Sequence, residues 1–90
     1  MQAEKKKVEN LLKTARGQLD GLLKMVEDDR YCIDISQQLL ATQAILRKCN
    51  REVLMAHMNH CIADALSGSE FDKEKKLKEL TALMQLWDKA

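Results

Sequence analysis

Two histidines and a cysteine lie close together in the segment LMAHMNHC, which spans residues 54–61. His57 and Cys61 are four residues apart, so on a helix they share one face and can hold the same ion. His60 points about 100° away from Cys61 around such a helix, and we interpret it as a surface residue or an outer partner of the site. The spacing of a thiol and an imidazole therefore predicts half of a metal site.

The other half of this site is predicted at Cys32, which stands 25 residues before His57 in the same predicted helix. At 1.5 Å per residue this separation is about 37 Å, so Cys32 cannot reach His57 and Cys61 of its own chain. Antiparallel pairing of two copies, about a two-fold axis near residues 44–46, brings Cys32 of one copy to the other two ligands in its partner. The spacing therefore predicts a dimer with two symmetric sites.

The predicted ligand set indicates which ions would fit. Two thiolates select soft ions, and a three-coordinate site with two sulfurs and one nitrogen suits Cu(I), whereas Zn(II) normally takes a fourth ligand. Spacing alone leaves open that the cysteines are small buried hydrophobic residues and that the histidines are simply solvated. Cys49 fits neither half of the site and is interpreted as structural, and Met55 and Met58 are interpreted as core-filling residues.

The rest of the chain must position these residues, and its composition favours helices. It has 90 residues, 46% of them hydrophobic, with no proline and few aromatic residues. Apolar residues recur three and four positions apart, as they do on an amphipathic helix. We predict a single all-α domain over residues 1–90. Its helices are expected at about 5–28, 33–66 and 72–88, with turns at 27–30 and 67–72.

Charge and cysteine usage narrow the classes of function. The chain has 15 basic and 14 acidic residues, and its net charge of +1 neither demands nor excludes an anionic partner. The polar start MQAEKKKVEN has no signal-peptide pattern and no apolar run is long enough to cross a bilayer, so we expect a cytoplasmic protein with reduced thiols. An enzyme is not expected, because no carboxylate pair, nucleophile–base arrangement or phosphate loop accompanies the thiols.

Two blocks of the sequence resemble a known family, and the likeness extends over essentially the whole chain. ARGQLDGLLKMVEDDRYC, residues 15–32, is similar to the first-helix signature of the CsoR/RcnR/FrmR family of bacterial repressors, and NREVLMAHMNHC, residues 50–61, is similar to its second. The resemblance implies three-helix protomers whose long helices form an antiparallel four-helix bundle in a dimer. It further implies that dimers pair into a homotetramer and bind operator DNA without a helix-turn-helix motif.

Within this family, the metal ligands divide the sensors by inducer. Cys32, His57 and Cys61 match the Cys–His–Cys set of the copper(I) sensors, whereas nickel and cobalt sensors have histidine at the position of Cys61. The resemblance therefore implies one Cu(I) in each intersubunit site. It also implies that copper binding releases the operator.

Copper sensors of this family also have a tyrosine and a last-helix glutamate that hydrogen-bond through the metal-bound histidine. Tyr31 matches the tyrosine. The glutamate position falls on Lys78 in the matched register, with Glu79 adjacent, and we assign the role to Glu79. A lysine at this position would alter the contacts that orient His57 and, with them, the coupling to DNA.

Basic residues cluster on the first two predicted helices, and a tetramer would present each cluster four times. Neutralisation of phosphates by such a surface gives affinity that falls steeply with salt. The predicted partner is double-stranded operator DNA. The predicted contact residues are Lys13, Arg16, Arg47, Lys48 and Arg51.

Two alternatives use the same thiols for different purposes. A persulfide- or redox-sensing repressor would use Cys32 and Cys61 of neighbouring chains as a reactive pair, although family members of that type lack the histidine found here as His57. A cytosolic metal carrier would use the same three ligands and bind no DNA. The sequence favours the copper-sensing repressor over both.

Overall fold

The computed structural model describes residues 1–68 and 70–89, apart from the side chains of residues 71 and 72. Three helices account for most of this part of the chain: α1 (Lys5–Glu27), α2 (Cys32–Ser67) and α3 (Glu70–Lys89). No strand occurs among the described residues, and the all-α prediction is confirmed. No helix in the described part is long and apolar enough to span a membrane.

The turn between α2 and α3 is shorter than the predicted turn at 67–72, because both helices extend into it. Ser67 belongs to α2, and its hydroxyl Oγ lies 3.0 Å from the carbonyl oxygen of Ala63. Serine side chains within a helix commonly contact the carbonyl four residues back in this way. Residue 69, which falls in the predicted turn, lies outside the described residues.

Two compact units make up the chain, one comprising residues 5–49 and the other residues 1–4 together with 50–90. The first contains α1 and the beginning of α2, and we call it the N-terminal hairpin. The second contains the rest of α2 and all of α3, and we call it the C-terminal hairpin. A single domain over residues 1–90 stays a prediction.

Buried residues of the N-terminal hairpin follow a seven-residue spacing on both helices. On α1 they are Val8, Ala15 and Leu22, and on α2 they are Thr42 and Cys49. Seven residues return to the same face of a helix after two turns, so each helix buries one narrow stripe, as in a coiled coil.

One polar contact crosses this apolar stripe. The Thr42 hydroxyl oxygen Oγ1 lies 2.8 Å from Gln18 Oε1 on α1 and 3.1 Å from the carbonyl oxygen of Gln38. Thr42 therefore has hydrogen-bond partners despite its burial, as buried polar groups normally do. The contact joins α1 to α2 at one position along the stripe.

The C-terminal hairpin has its own core, which surrounds a cysteine. Leu54 and Cys61 of α2 pack with Leu83 of α3, and all three are buried. Met58, Leu80 and Trp87 pack against this cluster and are half-buried. Residues 54, 58 and 61 of α2, and 80, 83 and 87 of α3, are spaced three and four apart, so each helix turns one face toward the other.

Helix α1 ends in a Schellman motif, which turns the chain toward α2. The backbone N–H of Arg30 donates to the carbonyl of Met25 at 2.9 Å, and the N–H of Asp29 donates to the carbonyl of Val26 at 3.0 Å. Asp29 has a φ of 52°, in the left-handed region that usually takes glycine at this position. Aspartate is one of the few other residues that tolerate this conformation, although at some cost.

Replacing Asp29 by glycine should therefore stabilise the protein. A left-handed backbone costs a residue with a side chain roughly 1–2 kcal/mol, and the greater freedom of glycine in the unfolded chain offsets part of that gain. We expect the free energy of unfolding to rise by up to about 1 kcal/mol. The measurement is urea denaturation at a fixed protein concentration, because association would shift the midpoint.

Asp20→Gly provides the matched control, because residue 20 lies inside α1. Aspartate is already a poor helix former, so glycine at this position should lower the free energy of unfolding by only about 0.3 kcal/mol. Equal destabilisation by both substitutions would contradict the assignment of a left-handed helix end at Asp29.

Candidate metal centre

Three side chains of the C-terminal hairpin converge on one point between α2 and α3. His57 and Cys61 come from α2, and Glu79 comes from α3. One potential ligand atom from each (a ring nitrogen, a thiol sulfur and a carboxylate oxygen) lies within 4.8 Å of the others. The four-residue spacing of His57 and Cys61 places them on the helix face that meets α3.

A short hydrogen bond fixes the histidine ring. His57 Nε2 lies 2.6 Å from Glu79 Oε1, and the other oxygen of this carboxylate, Oε2, lies 3.3 Å from Lys76 Nζ. The hydrogen bond from His57 and then that from Lys76 lower the pKa of the Glu79 carboxyl below its usual value. Glu79 is therefore ionised at neutral pH and acts only as an acceptor.

This geometry determines which ring nitrogen of His57 is available to a metal. Because the Glu79 carboxylate can only accept, Nε2 must carry the hydrogen of the bond. In the neutral imidazole, Nδ1 is then unprotonated and its lone pair can bind a metal ion. A carboxylate that fixes the tautomer in this way is the usual companion of a metal-binding histidine.

The thiol of Cys61 is fully buried, with 0% of its surface exposed. Burial raises the pKa of this thiol, and the negative charge of Glu79 raises it further, while the positive charge of Lys76 opposes them. A soft metal ion binds the thiolate, so binding at neutral pH must displace the proton. The site thus offers one nitrogen and one sulfur that are held in place by helix packing.

Cys32, the third predicted ligand, is the first residue of α2 and is exposed. Within the described part of the chain, the group that could hold an ion comprises His57, Cys61 and Glu79 and does not include Cys32. Cys32 as a metal ligand stays a prediction. Cys49 is buried in the N-terminal hairpin, at the position expected of a structural cysteine.

The residues assigned to orient His57 occupy different environments. Glu79 makes the hydrogen bond to the ring, whereas Lys78 is exposed. The matched register placed the glutamate position on Lys78 because the sequence does not fix the length of the turn before α3. Tyr31 is exposed and precedes α2, where its carbonyl oxygen accepts a hydrogen bond from the N–H of Ile35 at 3.2 Å.

Two residues that sequence reasoning missed, Lys76 and Asp64, extend the polar contacts around Glu79. Lys76 Nζ lies 3.7 Å from Asp64 Oδ2, which itself lies 3.2 Å from His60 Nε2. Lys76 and Glu79 are three residues apart on a helix, and this spacing could have predicted their contact from the sequence. His60 therefore contacts Asp64 one turn along α2 rather than the group of potential ligands.

The five residues predicted to contact DNA are all exposed. They are Lys13 and Arg16 on α1, and Arg47, Lys48 and Arg51 on α2. Exposure leaves their charged groups available to a partner, as phosphate contacts require. Their role in DNA binding stays a prediction.

Comparison with known proteins places the chain among regulators. Residues 4–86 match the model of a family described as metal-sensitive transcriptional repressors. The copper-sensing transcriptional repressor CsoR of Bacillus subtilis is 38% identical over 87 residues, which cover 97% of this chain and 84% of that protein. CsoR proteins of Mycobacterium match over about half of their own length.

Two solved structures have a similar fold. The nickel-responsive transcriptional regulator InrS superposes with a TM-score of 0.85 at 30% identity, over 97% of this chain and 96% of that one. The copper-sensing repressor CsoR with Cu(I) from Geobacillus thermodenitrificans superposes with a TM-score of 0.75 at 41% identity, over 98% of this chain and 93% of that one.

The contact between His57 and Glu79 can be tested without any metal. Because the hydrogen bond from His57 is the largest cause of the lowered pKa of Glu79, His57→Ala should raise that pKa toward its ordinary value. The measurement is a pH titration of the Glu79 side-chain carboxyl carbon by NMR. His60→Ala is the matched control, because His60 contacts Asp64 instead. An unchanged titration in His57→Ala would contradict the described geometry.

Proposed function

The chain belongs to the family of metal-sensitive transcriptional repressors, and we propose that it is a copper sensor that releases operator DNA when Cu(I) binds. The observation that carries this proposal is the pairing of His57 with Cys61 on one helix face, with Glu79 holding the ring so that Nδ1 is free. Support comes from the similarity to CsoR of Bacillus subtilis and to the Cu(I)-containing CsoR structure.

The proposed site has three protein ligands from two chains. His57 and Cys61 come from one chain, and Cys32 comes from its partner. Helix α2 continues unbroken from Cys32 through Cys61, so an antiparallel neighbour is the natural source of the third ligand. Two thiolates and one imidazole suit Cu(I), whereas borderline ions such as Ni(II) favour a greater share of nitrogen ligands.

Each residue around the ligands has a proposed task. His57 binds the metal through Nδ1, while its Nε2–H stays on Glu79. Cys61 loses its proton on binding, and the packing of Leu54 and Leu83 excludes water from its sulfur. Tyr31 is proposed to join the hydrogen bonds between His57 and Glu79 once the chains associate.

Exposed apolar residues of the N-terminal hairpin support association of the chain with other copies. Leu19, Leu23, Val26 and Leu39 line an apolar groove between α1 and α2 and are exposed. Apolar patches of this kind mark surfaces that bind a partner. We propose that a second copy covers the groove in an antiparallel four-helix bundle, and that dimers pair into a tetramer.

The proposed DNA contacts come from Lys13, Arg16, Arg47, Lys48 and Arg51. Assembly would multiply these exposed charges along one surface, and their spacing would depend on how the chains are held together. Metal ligands from two chains tie α2 of one copy to α2 of the other. Binding at both ends of the bundle therefore changes the spacing of the basic residues and lowers operator affinity, and by linkage the operator lowers copper affinity by the same factor.

The burial of Cys61 favours the metal over the persulfide alternative. A thiol reacts with sulfur donors as an exposed thiolate of low pKa. Cys61 has neither property, because it is fully buried and its pKa is raised by that burial. A metal ion can still compete for such a thiol, since the sulfur–metal bond compensates for loss of the proton.

Mixed dimers of two variants, each of which lacks one of the predicted cysteine ligands, test whether the site lies between chains. Cys32→Ala and Cys61→Ala homodimers should each lose more than about 100-fold in Cu(I) affinity, since loss of a residue that only orients a ligand already costs about 10–100-fold. A purified dimer of one variant with the other contains one complete site, so it should bind Cu(I) with wild-type affinity. The measurement is an anaerobic Cu(I) titration against a competing chelator.

Cys49→Ala is the matched control and should bind copper like the wild type. A mixed dimer that binds no better than the two homodimers would place all ligands within one chain. Wild-type protein that binds Cu(I) but keeps its operator in a mobility-shift assay would contradict the sensor proposal and favour a metal carrier.

Arg16→Ala tests the proposed DNA surface. Removal of a phosphate-binding charge should weaken operator binding by a similar factor for all sequences and reduce the slope of log affinity against log salt by about 1 for each phosphate that is no longer neutralised. Fluorescence anisotropy at several salt concentrations measures both quantities. Lys75→Ala removes an exposed charge from α3 and should leave the slope unchanged. Equal effects of the two substitutions would exclude a specific role for Arg16.

A further inference from the structure

A continuous chain of polar contacts leads away from the metal centre within the C-terminal hairpin. It runs from His57 to Glu79 at 2.6 Å, from Glu79 to Lys76 at 3.3 Å, and from Lys76 to Asp64 at 3.7 Å. It therefore crosses between α2 and α3 twice, once at His57 and once at Asp64. His60 closes the far end with its 3.2 Å contact to Asp64.

We propose that Lys76, anchored by Asp64, is the positioning residue that holds Glu79 on His57 and thereby couples copper binding to operator release. This inference rests on the proposed function, because the coupling exists only if copper releases the operator. Neither Lys76 nor Asp64 is a proposed metal ligand, so both act through Glu79.

The two oxygens of Glu79 explain why a positioning residue is needed. The terminal torsion of a glutamate side chain has a broad energy profile, so one hydrogen bond does not fix the plane of the carboxylate. Glu79 is held at both oxygens, with Oε1 on His57 and Oε2 on Lys76. Loss of the Lys76 hydrogen bond would let the carboxylate turn and would loosen its hold on the ring.

Asp64 serves in turn to hold Lys76. A lysine side chain has four rotatable bonds and a single charged group, so it adopts a defined position only where partners restrict it. Lys76 Nζ lies between Asp64 of α2 and Glu79 of its own helix. The ammonium group therefore ties the carboxylate that contacts His57 to a second point on α2.

The geometry of α2 places this second point beside the metal ligands. His57, Cys61 and Asp64 are spaced four and three residues apart, so they lie along one face of the helix. A change in the packing of α3 against that face would consequently alter the contacts of His57 and of Asp64 together. Through Lys76, a change at the histidine ring becomes a change in the contact between α2 and α3. Coupling of copper binding to operator release requires such a difference between the copper-free and copper-bound states.

The exposure of these groups indicates positioning rather than stabilisation. The side chain of Lys76 is 26% exposed and that of Asp64 is 42% exposed. Ion pairs that water can reach contribute little to the free energy of folding. Substitutions at these residues should therefore leave the protein folded, so that effects on copper sensing can be measured.

The experiment compares four full-length variants with the wild type. Lys76→Met removes the charge and keeps the length of the side chain, Lys76→Arg keeps the charge, and Asp64→Asn weakens the anchor. Lys78→Met is the matched control, because Lys78 is exposed and lies next to Glu79 in sequence. For each protein we would measure Cu(I) affinity, and operator affinity with and without Cu(I), after checking helix content by circular dichroism.

Lys76→Met should lose less than about 10-fold in Cu(I) affinity, because Lys76 acts through Glu79 and does not contact the ring itself. The copper-induced drop in operator affinity should fall below about a third of the wild-type factor. Lys76→Arg should restore the wild-type factor and Lys78→Met should retain it. Asp64→Asn should lower the factor in the same direction. An unchanged factor in Lys76→Met, or equal losses in Lys76→Met and Lys78→Met, would overturn the inference.

The ring nitrogens of His57 give a readout that does not depend on DNA or copper. Nitrogen NMR of the metal-free wild type should show the tautomer with hydrogen on Nε2, and Lys76→Met should show a mixture of tautomers. If the wild type binds copper but does not release the operator, the proposed function fails, and the ring signal alone tests the positioning role. An unaltered tautomer in Lys76→Met would then overturn that role as well.

Discussion

The hydrogen bond between His57 Nε2 and Glu79 Oε1, at 2.6 Å, joins the chemistry of this protein to the packing of its helices. It selects the tautomer of the ring, which leaves Nδ1 unprotonated in the neutral imidazole, and it ties α3 to α2 at the same time. The fully buried Cys61 lies one helical turn away and depends on the same packing. Any rearrangement of the α2–α3 pair would therefore move the candidate ligands His57 and Cys61.

Burial among the described residues follows narrow stripes along the helices. The seven-residue spacing of Val8, Ala15 and Leu22 covers one line of contact, while Leu19, Leu23 and other apolar residues stay exposed. Exposed apolar surfaces of this kind mark sites at which a partner binds. In the proposed assembly, association also brings Cys32 of one chain to His57 and Cys61 of its partner, so that folding of the bundle and formation of the site become one process.

Much of this protein could be predicted from its sequence. Membership in a repressor family, which is a regulatory and not an enzymatic family, and the all-α fold are confirmed. These succeed because helical periodicity and the blocks at residues 15–32 and 50–61 are local patterns. The set of metal ligands, the residues that contact DNA and the number of chains in the assembly stay predictions. The extent of the last turn was wrong, because α2 includes Ser67 and α3 already begins at Glu70.

The sequence by itself determined that His57 and Cys61 share a helix face, since four residues make about one helical turn. It could not determine whether Lys78 or Glu79 meets the histidine, because one residue in a turn rotates α3 by about 100° and changes which side chain faces α2. Only the tertiary structure decided this in favour of Glu79, and only it revealed Lys76 and Asp64 as its supports. Contacts between helices depend on how both are rotated about their axes, which local spacing along a single helix does not specify.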